Sequence, residues 1–192
     1  MNLPNILTVV RMIAAPLVAL VFLLPRPMAD MAALILFIGA SVTDWFDGYL
    51  ARKWNQTSSF GRMLDPIADK AMVMIALAVL LMLGGPDPWL FVPATAIFTR
   101  EVAVSGLREH LAGRATIHVT KLAKWKTTLQ MAAIAVLFFA GWAQFQWQAG
   151  PAATVWWLGV VLIWGAAALT VVTGWQYFSR GMKSPAMTGE KA

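Results

Sequence analysis

Six stretches of this chain are apolar almost without interruption: residues 7–24, 31–51, 66–84, 89–107, 128–143 and 153–175. A helix needs roughly 20 such residues to cross the hydrocarbon of a bilayer. Inside lipid the backbone must satisfy its own hydrogen bonds, and a helix does so within one segment. The expectation is therefore an all-α, polytopic membrane protein with six transmembrane helices. Little chain remains for a soluble domain, so residues 1–180 read as a single membrane domain. Residues 181–192, with Ser, Pro, Thr, Gly and Lys, read as a frayed tail. The opening MNLPNILTVVR lacks the basic start and small-residue cleavage site of a removable signal, so the first run is expected to stay as a span.

Only 12% of the 192 residues are charged, about half the share of a soluble domain, and the formal net charge is +6. The placement of those charges explains their sign. Arg52, Lys53, Arg62 and Lys70 flank the link between spans two and three. Arg108, Arg114, Lys121, Lys124 and Lys126 flank the link between spans four and five, and Arg180, Lys183 and Lys191 follow span six. The opposite links contain Arg26 and the helix breakers Pro25, Pro27, Gly84-Gly85-Pro86-Asp87-Pro88 and Gly150-Pro151. Lys and Arg gather on the cytoplasmic side of membrane proteins, which predicts both termini there. The basic excess is then a topology signal with an attraction to anionic head groups, and no nucleic-acid module is visible. Trp54, Trp89, Trp125, Trp142, Trp147 and Trp175 lie near the span ends, as interfacial anchors do.

Four of the nine acidic residues, Asp44, Asp47, Asp65 and Asp69, lie at the end of span two and the start of span three. A carboxylate at that depth is costly unless it is paired, metal-bound or in a wet cavity. At ~100° per residue, Asp44, Asp47, Gly48 and Ala51 share one helix face. Asp65 and Asp69 are four apart and stack on another. Pro66 is expected in the first turn of a helix beginning close to Asp65. Four facing carboxylates need a counter-charge. An oxygen-only set suits Mg²⁺, Mn²⁺ or Ca²⁺, and the chain has no cysteine and only two histidines to favour zinc. The plainer alternative pairs the aspartates with Arg52, Lys53, Arg62 and Lys70; four at coordinated spacing among glycines argue against it.

The stretch Asp44-x2-Asp47-Gly48-x2-Ala51-Arg52-x8-Gly61-x3-Asp65-x3-Asp69 resembles the signature of the CDP-alcohol phosphatidyltransferase family at every position. Further likeness lies in Asn2-x-Pro4-Asn5-x2-Thr8-x2-Arg11, Arg100 to Glu109, and Lys124-Trp125-Lys126-Thr127-Thr128-x-Gln130. Ala123 departs from the glycine often found there. The resemblance implies six helices, a homodimer, and two divalent ions, Mg²⁺ or Mn²⁺, held by Asp44, Asp47, Asp65 and Asp69. It implies a CDP-diacylglycerol pocket lined by Asp44, Gly48, Ala51, Arg52, Gly61 and Asp65, with Asp69 as general base. It also implies a bacterial inner membrane location.

The acceptor is read from span four. Arg100 and Glu101 lie well inside an apolar run, and Glu101, Ser105 and Arg108 fall close together on one face. A phosphate-bearing acceptor requires fixed cations. Arg100, Arg108 and Lys124 are the candidates for binding the phosphate of glycerol 3-phosphate, and the resemblance points to the same positions. Against that, Arg100 and Glu101 could be a structural ion pair, and Arg108 and Lys124 plain topology charges. Asn5, Thr8 and Arg11 read more simply as helix caps and anchors than as substrate contacts. Inositol phosphate, serine or phosphatidylglycerol remain rival acceptors. A divalent-cation transporter is the rival of another class, though its carboxylates would sit near mid-membrane.

Overall fold

The computed structural model describes residues 3–53, 59–110 and 121–182, with side chains at 5–43, 61, 63–110, 125–179 and 182. The described chain is helical throughout: α1 (Leu3–Leu20), a 3₁₀ turn (Val21–Leu23), α2 (Met28–Lys53), α3 (Ser59–Gly84), α4 (Pro88–His110), α5 (Lys121–Gln146) and α6 (Ala149–Met182). Local sequence sets the ends. After α3, Gly85 takes φ +66°, the left-handed conformation that closes a helix at little cost for glycine. Asp87 Oδ1 then accepts from the Trp89 amide at 3.0 Å and caps α4, with Pro88 at its first position.

Among the described residues five segments are long and apolar enough to cross a membrane: Asn5–Leu23, Met63–Gly84, Pro88–His110, Trp125–Gln146 and Ala149–Ser179. The expected second span corresponds to the 26-residue α2, whose described apolar part, Met28–Thr43, is below the length of a span. Helix α3 starts at Ser59, six residues before the expected start near Asp65, so Pro66 lies inside the helix. Nothing between Ser59 and Asp65 stops a helix, and the proline merely removes one rung of its ladder. Asp65 and Asp69 still share a face.

Successive helices alternate in direction. Helix α5 packs along α6 and against α2, α1 against α2 and α3, and α4 against α6; α3 touches α4 and α5 only lightly. Small residues permit the close approaches, with Ala15, Ala33, Ala76, Ala133, Ala140 and Ala166 all fully buried. Phe37, Met72, Ile97, Ile134, Phe138 and Ile163 fill the spaces between. The outside is apolar as well, with Leu23 84% and Val161 66% exposed, a surface suited to lipid rather than water. One end of the bundle is tied by Arg26, which donates to both oxygens of buried Asp30 at 2.7 and 2.8 Å and to the Gly141 carbonyl at 3.4 Å. The other end is polar and holds the site.

Candidate active site

Directional alternation brings the first half of α1, α3 and α5 to the same end as the last half of α4 and α6. Two carboxylates project there from α3, and each is met by a side chain of α1. Thr8 Oγ1 donates to Asp65 Oδ1 at 2.6 Å, and Arg11 Nη1 donates to Asp69 Oδ1 at 3.1 Å. Thr8 and Arg11 are each 2% exposed. The simpler expectation of caps and anchors is therefore corrected: a buried arginine inside a span needs a carboxylate, and α3 supplies it. Thr8 and Arg11 are three apart, hence on one face, as Asp65 and Asp69 are four apart on theirs.

Beyond α3 a cavity of about 280 Å³ opens where α3 parts from α4 and α5. Asp69, Lys70, Arg100, Glu101, Arg108 and Lys126 give it its charge, with Thr127, Gln130 and Tyr177 as neutral polar wall. Lys126 donates to Glu101 Oε1 across α5 and α4, and Arg100 Nη1 shares that same oxygen at 3.0 Å. Lys70 reaches from α3 to Ser105 Oγ on α4, and Ser105 donates onward to the Glu101 carbonyl. Arg108 Nη2 donates to the Tyr177 hydroxyl on α6 at 2.9 Å.

Four cations and two carboxylates line the cavity, 4 − 2 leaving an excess of two positive charges. Arg11 compensates Asp69 from outside that wall, which widens the excess. Uncompensated positive charge within a bundle of apolar helices favours an anion. The cavity is of a size for a small ligand.

Arg100 forms the ion pair with Glu101 and also lines the cavity with Arg108. Ser105, expected on one face with Glu101 and Arg108, lies between the Glu101 carbonyl and Lys70. From sequence Lys70 is a topology charge or a partner for the aspartates, Lys126 is a topology charge within a family-like segment, and neither is expected at the acceptor; Tyr177 has no expected role. The spacing of Lys126 and Gln130, four apart on one face and both buried, was a signal for that wall.

Gly61 is buried near the start of α3. Asp44, Asp47, Gly48, Ala51 and Arg52 lie on the last turns of α2, and Lys124 on the first turn of α5; their side chains fall outside the described residues, as does His118. Five residues of chain join the end of α2 to the start of α3. Among the described residues no three metal-ligating groups come together. Asp65 and Asp69 are the described half of the expected set, and their carboxylate oxygens suit a hard cation.

The chain matches the CDP-alcohol phosphatidyltransferase family over residues 1–172. It is 51% identical to a Cereibacter sphaeroides protein named CDP-diacylglycerol–glycerol-3-phosphate 3-phosphatidyltransferase, over 99% of each chain. Relatives of the same name from Rickettsia bellii and Shigella flexneri serotype 5b are 43% and 41% identical, over 92% and 93% of this chain and 93% of each relative.

Proposed function

Because this chain belongs to the CDP-alcohol phosphatidyltransferase family, we propose that it transfers the phosphatidyl group of CDP-diacylglycerol to glycerol 3-phosphate, giving phosphatidylglycerol phosphate and CMP. The observation that carries the acceptor is the basic cavity: Lys70, Arg100, Arg108 and Lys126 around Glu101, with Asp69 in the same wall. A phosphate carries nearly two negative charges at neutral pH, which matches the excess there. Arginine and lysine are the side chains that hold such a group. Serine carries no phosphate, and the relatives are named for glycerol 3-phosphate.

In this reading Arg100, Arg108 and Lys124 bind the acceptor phosphate, joined by Lys126. The bound alcohol then lies toward Asp69. Its hydroxyl oxygen attacks the lipid-side phosphorus of the diphosphate, its proton passes to the Asp69 carboxylate, and the bond to CMP breaks. Arg11 orients that carboxylate for the task, and Thr8 orients Asp65. Asp44, Asp47, Gly48, Ala51, Arg52, Gly61 and Asp65 line the place of the CDP moiety. Asp44, Asp47, Asp65 and Asp69 would hold Mg²⁺ or Mn²⁺, whose chemistry when bound is to neutralise diphosphate charge. The charge asymmetry of the sequence supports a cytoplasmic orientation of this end of the bundle, and the bacterial relatives support an inner-membrane location. A homodimer is carried by the family alone.

The test is CMP release from CDP-diacylglycerol by purified protein in detergent with Mg²⁺ or Mn²⁺. Release that requires glycerol 3-phosphate, fails with inositol phosphate, serine or phosphatidylglycerol, and is lost in Asp69→Asn bears the proposal out. Release with another acceptor refutes the acceptor; none from folded protein refutes the chemistry.

A further inference from the structure

Tyr177 is one of two tyrosines in the chain and lies near the end of α6, 3% exposed, in the wall of the basic cavity. A phenol can accept one hydrogen bond and donate another. Its oxygen accepts from Arg108 at 2.9 Å, and among the described residues no group accepts the phenol proton. The ring also faces two guanidinium groups, with Arg108 Cζ 5.1 Å and Arg100 Cζ 5.7 Å from its centroid. Two cations so placed repel each other, and the negative face of the ring offsets part of that repulsion. Arg108 has no ion-pair partner among the described residues, unlike Arg100, which has Glu101. Tyr177 is thus the group that fixes the more exposed guanidinium of the pair.

We propose that Tyr177 sets the preference for a phosphate-bearing acceptor, by positioning Arg108 and by donating its own O–H to a phosphate oxygen in the cavity. With its oxygen accepting from Arg108, the phenol has its O–H left to donate a further hydrogen bond to the phosphate. It also holds Arg108 and Arg100 on one side of the cavity, so that a single phosphate can bridge them. The inference rests on the glycerol 3-phosphate reading given above.

Tyr177→Phe keeps the ring and its packing but removes both hydrogen bonds. With the full chain in detergent and saturating CDP-diacylglycerol, the variant is expected to raise the KM for glycerol 3-phosphate about tenfold, the scale of a lost hydrogen bond to a charged group. The kcat and the KM for CDP-diacylglycerol are expected to change less than about twofold. In an Arg108→Gln background the same change should raise KM by less than about twofold, because its effect runs mainly through Arg108. An unshifted acceptor KM, a fall in kcat with both KM values unchanged, or full additivity with Arg108→Gln overturns the role. If the wild-type protein turns over with glycerol 3-phosphate, such a result removes only Tyr177; if it does not, the acceptor reading falls too.

Discussion

Lys126 of α5 and Glu101 of α4 form a buried ion pair in the wall of the cavity, and Arg100 shares the same carboxylate oxygen. The pair ties α5 to α4 across the wall of the cavity. It also holds two cations in place at the cost of a single negative charge.

Removing only the carboxylate strands those cations. Glu101→Gln is expected to destabilise the folded protein by about 3 kcal/mol, the usual result of breaking one side of a buried pair. The double variant Glu101→Gln with Lys126→Met should recover most of that loss. Thermal unfolding in detergent of the two singles and the double gives the coupling directly. Additive losses would show that the pair is not a unit.

Arg11 and Thr8 bear on the carboxylates rather than on the acceptor. Arg11→Gln is expected to lower kcat about a hundredfold, the scale of a misplaced reacting group. The KM for glycerol 3-phosphate should stay within about twofold. Thr8→Val removes one neutral donor and should cost about fivefold. Steady-state kinetics with each substrate varied in turn separates these effects from a general loss of fold. A rise in acceptor KM alone would place Arg11 with the phosphate wall instead.

How far the sequence led depended on whether the chemistry lay within one helix or between helices. Apolar run lengths located every helix, with ends up to seven residues off, because lipid leaves helix as the only economical backbone. The four-residue spacing of Asp65 and Asp69 was legible for the same reason. Partner choice was not. Whether Arg11 capped a helix or met a carboxylate depends on the packing of α1 on α3, 58 positions away in sequence. The start of α3 was missed because Pro66 invites a first-turn position that nothing upstream enforces. Tyr177 was missed because an aromatic residue near the end of a span reads as an anchor, and only tertiary packing turns it toward Arg108.

Chelation tests the acidic set. Excess EDTA is expected to abolish CMP release, and added Mg²⁺ or Mn²⁺ to restore it, since oxygen-only ligands suit those ions. Asp65→Asn should shift the metal concentration for half-maximal activity upward by about tenfold or more. Activity that persists in EDTA after dialysis would refute metal dependence.

Gly174 offers the most local test of the phosphate wall. A Cβ built on this residue of α6 would stand 2.9 Å from Arg100 Cγ and 3.6 Å from its Nε. Real Cβ atoms essentially never approach so closely, so the Arg100 side chain must move in Gly174→Ala. Its head is held by Glu101 at 3.0 Å and reaches Thr173 Oγ1 at 3.4 Å, so the stem cannot yield without disturbing one of them. The guanidinium should leave its position over Tyr177, and the acceptor KM should rise about fivefold, on the order of 1 kcal/mol. Alanine is the better helix former of the two, so stability should hold or improve slightly. Acceptor kinetics beside thermal unfolding decides the matter. A variant with an unchanged KM and unchanged Tm would mean that Arg100 accommodates the methyl group without moving its head, and that its exact placement does not govern acceptor binding.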